Sequence, residues 1–299
     1  MIVVIGSINL DLIATVERLP SPGETVPGNS FATAPGGKGA NQALAARRAG
    51  ADVRMIGAIG NDAFADEAVA LLHDAGIDLS GVRKTSRPTG IAMILVGEGG
   101  ENVIAVVPGS NGTLSAADVK ASGIKRGDHV LAQLEIPLDA VSEVLTAARA
   151  AGAVTILNTA PFHAEATPLL ERADIVIANE TEFDLYAREL GLAGDAREHK
   201  MLEFHQRTGH TIVVTLGAEG VVAADANGLI RAHGLTVDPV DTVGAGDTFC
   251  GYLAAALQDG LTLQVALLRA AIAGSLACLE PGAQPSIPTA AEVDAARAR

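Results

Sequence analysis

Tryptophan is absent from this 299-residue chain, aromatic residues of all kinds make up 3% of it, and only two cysteines occur. A core without aromatic bulk must be aliphatic, and with 48% hydrophobic and 19% charged residues there is material for a sizeable one. Cys250 and Cys278 fall in alanine-rich, helix-like stretches with neither metal-ligand spacing nor a disulfide framework. They read as buried free thiols in a reducing compartment. No apolar run approaches the ~18 residues of a membrane span. Residues 1–5 lead straight into Gly6-Ser7-Ile8-Asn9 without a basic segment, so a cytoplasmic protein with no membrane partner is expected. Positive charge is scarce as well: 21 Lys and Arg against 35 Asp and Glu leave a net charge of −14, which argues against a nucleic-acid partner. An anionic substrate would need a locally positive pocket made from helix termini, a metal ion or a few placed cations. The seven histidines show no metal-binding spacing and read as surface or core residues, and no serine lies in a Gly-x-Ser-x-Gly elbow, so nucleophilic hydrolysis has no support.

Against these shortages stands a regular alternation. Short β-branched apolar runs at Ile2–Ile5, Val53–Ile59, His129–Gln133, Val154–Asn158, Ile175–Ala178 and Thr211–Leu216 have the composition of buried parallel strands. Helical patterns lie between most of them, at Ala40–Ala49, Phe64–Ala75, Asp139–Ala151 and Glu180–Leu190, the last three each followed by glycine. The end is more helical, with Thr248–Gln258, Leu263–Leu279 and a polar helix from about residue 290. The pattern predicts an α/β fold with a mainly parallel sheet covered on both faces. Two segments, Leu12–Ala34 and Gly90–Pro108, carry alternating apolar residues, prolines and glycines without a helix signature. The second reads as a hairpin, Ile91–Val96 and Val103–Val107 around a Gly-Glu-Gly-Gly-Glu turn. Together they predict a small β-sheet set apart, either a lid over the strand ends or a surface decoration.

The most informative stretch is Asp241-Thr242-Val243-Gly244-Ala245-Gly246-Asp247-Thr248-Phe249, ahead of an alanine-rich helix. Residues 243–246 can gather bare N–H groups where the helix dipole is positive, which makes an anion site. Asp247 would repel an anion there unless it takes a proton from a nucleophile while the amides hold a phosphoryl group. The plainer reading is a tight turn with a dipole-compensating acid. Asn9 and Asp11, two apart after the first strand, would share one side of an extended backbone and suit a vicinal diol, or else make an Asx turn. Gly36-Gly37-Lys38-Gly39-Ala40-Asn41 precedes a helix but is not a Walker loop; its glycines permit close approach, and Lys38 and Asn41 offer polar contacts. Glu135 closes a buried strand at an end where such sheets bind ligands. Asn179 and Glu182 have the spacing of a capping box, and equally of oxygen ligands around Mg2+. Thr215-Leu216-Gly217-Ala218-Glu219-Gly220 could admit a nucleotide phosphate or simply turn a hairpin.

In order and spacing these motifs, with Pro-Gly-Glu-Thr-Val at 22–26 and Gly-Ala-Gln-Pro-Ser at 282–286, resemble those of the ribokinase-like (PfkB) carbohydrate kinases over essentially the whole chain. The resemblance implies one three-layer αβα doubly wound domain over residues 1–299, with a lid from about 12–34 and 90–108. It implies ATP-dependent phosphorylation of D-ribose at O5, with Asp247 as base and Gly244, Ala245 and Gly246 as the anion hole. Asn9, Asp11, Gly37, Lys38, Asn41 and Glu135 would line the sugar pocket. Asn179, Thr215, Gly217, Gly220 and Gly246 would meet ATP, with Asn179 and Glu182 holding Mg2+ through water. An activating K+ would sit among Asp241, Val243, Ala277, Glu280, Gly282 and Ser286, mostly on carbonyls. Cys250 stands where the family commonly has Asn, and Glu280-Pro281 where basic residues are frequent; a site using only the carbonyl of residue 280 tolerates that change. A homodimer joined through the lids is also implied. The alternatives are a related kinase acting on deoxyribose, a nucleoside or a ketohexose, and a non-catalytic sugar sensor.

Overall fold

The structure, a computed structural model, describes residues 1–298. Its strands are β1 (Ile2–Ile5), β2 (Asn9–Val16), β3 (Gly28–Gly36), β4 (Val53–Gly60), β5 (Asp78–Thr85), β6 (Gly90–Gly97) and β7 (Asn102–Val107). They continue with β8 (His129–Ala132), β9 (Val154–Asn158), β10 (Ile175–Asn179), β11 (Thr211–Thr215), β12 (Val221–Asp225) and β13 (Gly228–Ala232). The helices are α1 (Lys38–Arg48), α2 (Ala65–Asp74), α3 (Ala116–Ala121), α4 (Leu138–Ala151) and α5 (Thr167–Leu170). After them come α6 (Glu180–Glu189), α7 (Arg197–Thr208), α8 (Ala245–Gln258), α9 (Leu263–Ala277) and α10 (Ala290–Arg297).

Nine strands form one sheet in the order β13-β12-β11-β10-β9-β8-β1-β4-β5. From β11 to β5 all neighbours are parallel, and β12 and β13 add an antiparallel edge. Alternation splits each strand between two cores: Ile2 and Val4 pack toward α1, α2, α8, α9 and α10, while Val3 and Ile5 pack toward α3 to α7. This is the three-layer αβα arrangement, and its core is aliphatic as the composition requires. The chain runs outward from β1 to β4 and β5, then returns to β8 on the other flank of β1. The carboxyl ends of β1 and β8 therefore lie side by side at the switch point where doubly wound sheets bind ligands.

A second sheet has the order β3-β2-β6-β7 and is drawn from the two irregular segments, the first extended by a few residues at each end and the second within its expected bounds. The β6–β7 hairpin pairs antiparallel and closes through Gly97 N–H to Glu101 O at 2.9 Å, while β2 pairs antiparallel with β3 and parallel with β6. Three elements of the main sheet were not legible as strands. β5 carries Asp78, Arg83 and Lys84 because it is an edge, and β12 and β13 form a short hairpin after the Gly217–Gly220 turn. α8 starts at Ala245, three residues before the sequence pattern suggests, because Gly244 at φ 78° serves as its N-cap. The expected turn thus becomes the first turn of the helix, with Asp247 inside it.

Candidate active site

Asp247 is the third residue of α8 and is buried. Its two oxygens are clasped by neighbouring side chains of α1: Asn41 Nδ2 donates to Oδ2 at 2.9 Å and Gln42 Nε2 to Oδ1 at 2.8 Å. Helix α1 can come this close because Gly251 of α8 lies directly against it, where a Cβ would stand 2.5 Å from the carbonyl of Gln42. The amides of a helix's first turn have no intrahelical acceptor. Ala245 N–H reaches Thr242 O at 3.3 Å, which leaves those of Gly246 and Asp247 available to an anion.

The start of α1 is closed from outside the helix. Gly37, at φ 90°, lies so close to residues 7–9 that a Cβ would meet Asn9 N at 2.7 Å. Ser7 accepts the N–H of Ala40 on its carbonyl at 2.9 Å and that of Gly39 on its hydroxyl at 3.3 Å. Glu135 Oε2 accepts from Ser7 Oγ at 2.5 Å and from Lys38 N–H at 3.1 Å, so this acid already serves as part of the cap. Asn9 and Asp11 share one side of β2, as their spacing predicts. Asn9 Oδ1 accepts from Asn111 Nδ2 at 2.7 Å, and Asn111 also exchanges hydrogen bonds with the main chain of Ile8. Burial, then Glu135 and Asp247, push the Asp11 carboxyl up to about 7 against the opposing effect of Lys38. Asp247 foremost, with Glu135 and Glu182, holds the Lys38 ammonium above its ordinary value in spite of burial.

Lys38, Asn179, Glu182, Thr215, Gly244, Gly246 and Asp247 line one cavity of about 230 Å3. Asn179 and Glu182 make the capping box of α6, with Glu182 N–H on Asn179 Oδ1 at 2.8 Å and Asn179 N–H on Glu182 Oε2 at 3.0 Å. Burial raises the Glu182 carboxyl, opposed by that amide and by Lys38. Thr215 ends β11 within the lining, while Gly217 and Gly220 lie in the turn beyond it and outside the lining. Asp241 joins the 241–247 turn to the 278–286 loop: Oδ1 accepts Val243 N–H at 3.0 Å and Oδ2 accepts Gly282 N–H at 2.9 Å. Ala277 and Ser286 are buried, Glu280 is exposed, and the buried side chain of Gln284 has no hydrogen-bond partner.

Ser7, Gln42, Asn111, Gln133 and Asn158 belong to this constellation and were not singled out from the sequence. Gln42 and Gln133 carried a usable signal, a long polar side chain inside an otherwise apolar helix face or strand. Asn111 carried none.

The chain matches the pfkB family carbohydrate kinase model over residues 1–290. It is 36% identical to a ribokinase of Schizosaccharomyces pombe over 98% of this chain and 96% of that protein. A crystal structure of a ribokinase from Thermotoga maritima superposes with a TM-score of 0.91 at 30% identity, covering 100% of this chain and 99% of that one. A ribokinase of Arabidopsis thaliana complexed with ribose and ATP superposes with a TM-score of 0.85 at 31% identity, covering 98% and 97%. The motif order, the doubly wound sheet with its small second sheet, and these matches agree: the chain belongs to the pfkB family of carbohydrate kinases.

Proposed function

We propose that this chain transfers the γ-phosphoryl group of ATP to the O5 hydroxyl of D-ribose. The observation that carries the proposal is the seat of Asp247, a buried carboxylate fixed by two amide donors beside the free N–H groups of its own helix. Ribose as the acceptor draws on the ribokinases among its relatives, one of them complexed with ribose and ATP. Asp11 and Asn9 take the sugar's vicinal hydroxyls, one as acceptor and the other as donor and acceptor; Gly37, Lys38, Asn41 and Glu135 complete that wall. O5 attacks the γ-phosphorus in line, the bond from phosphorus to the β–γ bridging oxygen breaks, ADP leaves, and the O5 proton passes to Asp247. The turn at Gly244, Ala245 and Gly246 meets the charge developing on the phosphoryl oxygens, chiefly through the free amides of Gly246 and Asp247, so positioning and electrostatics supply the rate. Thr215, Gly217 and Gly220 border the nucleotide.

Asn179 and Glu182 fit a magnesium ion held through water. Among the described residues no three His, Cys, Asp or Glu side chains gather into a cage, and Mg2+ characteristically keeps its waters and leans on substrate phosphates. When bound it would neutralise phosphate charge. The oxygens of Asp241, Val243, Ala277, Glu280, Gly282 and Ser286 are hard donors that suit K+, with Glu280 contributing its carbonyl because its side chain is exposed; bound there, K+ would stiffen the loop behind the amide turn. The small sheet acts as a lid and as a dimer contact. Every residue of β7 is exposed, Val103, Ile104, Val106 and Val107 among them, and β7 is a free edge, a combination that invites pairing with a second copy.

The test is ADP formation across ribose, deoxyribose, fructose, fructose 1-phosphate and adenosine, with and without K+. Ribose should give the highest kcat/KM. Asp247→Asn should keep the fold and ribose binding while lowering kcat by about 10²–10⁴, the usual range for a positioned base. Near-normal turnover in that variant would refute the assignment, and absence of sugar-dependent ADP formation would favour a sensor. Sedimentation at micromolar concentration should give a dimer, and Ile104→Glu with Val106→Glu should split it.

A further inference from the structure

Gln42 is fully buried on a helix whose other inward side chains are mostly alanine and leucine. Both hydrogens of its amide are used, one on Asp247 Oδ1 at 2.8 Å and one on Asn158 Oδ1 at 3.1 Å. Its Oε1 accepts from Gln133 Nε2 at 2.7 Å, and Asn158 is itself anchored by donating to Ile177 O at 3.3 Å. The direction of this relay is dictated from one end. An ionised carboxylate can only accept, so Gln42 must present its NH2 to Asp247, its carbonyl must turn away, and Gln133 must present its own NH2. A protonated Asp247 makes no such demand.

We propose that Gln42, backed by Gln133 and Asn158, is a positioning residue that keeps Asp247 ionised and aimed, so that the carboxylate meets the sugar hydroxyl ready to accept its proton. The inference rests on the reading of Asp247 as the base. Hydrogen bonds to the charged form of an acid favour that form. Asp11 from β2 and Glu182 from α6 bring like charge to Asp247, the Cys250 thiol lies on the next turn of α8, and Lys38 from α1, itself shared with Glu135, is the cation that faces it. Asn41 holds one oxygen and Gln42 the other, so loss of Gln42 frees half the carboxylate.

The experiment is kcat and sugar KM against pH for the wild type, Gln42→Leu, Gln42→Glu, Gln133→Leu and Asp247→Asn, each checked for a cooperative melt. In Gln42→Leu the acid limb of the kcat profile should move up by about one pH unit, the scale of one hydrogen bond to a charged group. In Gln42→Glu it should move further, because the isosteric carboxyl and Asp247 must share a proton. Gln133→Leu leaves the donor in place but free to turn, so its limb should move the same way by less. Sugar KM should stay within about threefold throughout. A role in packing alone predicts the opposite order, with the isosteric Glu milder than Leu and the limb fixed. An unmoved limb in folded Gln42→Leu and Gln133→Leu overturns the inference. If Asp247→Asn abolishes turnover while the limb stays fixed in the Gln42 variants, only this inference falls; if Asp247→Asn retains turnover, the reading of the base falls first.

Discussion

The two ends of the candidate site are built from different materials. Around Asn9, Asp11, Asn41 and Asp247 the polar groups are buried side chains, and most are held by other side chains, Asn111 on Asn9, Asn41 and Gln42 on Asp247. Around Gly244, Gly246 and Thr215 the surface is open and the usable groups are main-chain amides. Under the proposed function, the difference follows from what each end recognises. Sugars differ by the presence or direction of one hydroxyl, and a site rejects the wrong one strongly only when its buried donors and acceptors are left unpaired. A terminal phosphate is the same on every nucleoside triphosphate, and amides at a helix N-terminus hold it without any side chain.

Gly244→Val puts the largest strain on that contrast. Gly244 has φ 78°, and a Cβ would lie 2.8 Å from both Cα and Cβ of Ala283, so the turn must move and its amides with it. Loss of an aligned oxyanion donor costs about 10²–10³ in kcat. Sugar affinity, measured by ribose quenching of hydrogen exchange in β2, should be unchanged. Equal damage at both ends would show that they are one rigid unit.

Asp11 sharpens the sugar end through pH. Its carboxyl is pushed up to about 7, and only the ionised form accepts two hydroxyl protons. Ribose Kd should rise about tenfold for each unit of pH below 7, and Asp11→Asn, though weaker in binding, should lose that slope. The same group shapes stability. In the unfolded chain it ionises near pH 3.9, roughly the value of a free aspartate. Between that pH and 7 the folded protein holds more protons than the unfolded one, so its contribution to stability is complete in acid and is lost as pH rises through 7. Asp11→Asn should therefore melt higher than the wild type at pH 8, by about 1–3 kcal/mol, and show no gain near pH 4.

How much of this was legible in the sequence follows the same division. The phosphate end is written in glycines and in a contiguous motif, and Asp241 to Asp247 was found by reading along the chain. Parallel strands buried on both faces announce themselves as apolar runs, and six of the seven strands from β11 to β5 were found. β5 was missed because an edge strand carries charge, and β12 and β13 because short hairpin strands follow no long period. The sugar end resists such reading. Asn111 is 102 residues from the Asn9 side chain it holds and Gln42 is 205 from Asp247; nothing local marks either contact. Glu135 was read as a wall of the sugar pocket, yet its Oε2 is spent on closing α1, a use that only the packing of that helix against residues 7–9 brings about.

Asn111 offers the finest test of whether the sugar end is organised beyond the groups that would touch ribose. Its amide donates to Asn9 Oδ1 and to Ile8 O, and its Oδ1 accepts Ile8 N–H at 2.9 Å. Asn111→Leu keeps the number and branching of side-chain heavy atoms and removes all three bonds. The stranded Ile8 groups should cost about 1–3 kcal/mol of stability. Asn9, free to rotate, should present the wrong edge of its amide part of the time, raising ribose KM about three- to tenfold with kcat nearly intact, as expected when binding common to ground and transition states is lost. The matching change at the other end, Thr215→Ala, should alter ATP KM less than about twofold, since the hydroxyl there makes one long bond of 3.5 Å to Ala178 O. If Asn111→Leu destabilises the protein without touching ribose KM, the sugar end draws its selectivity from Asn9 and Asp11 alone, and the two ends differ only in how deeply they are buried.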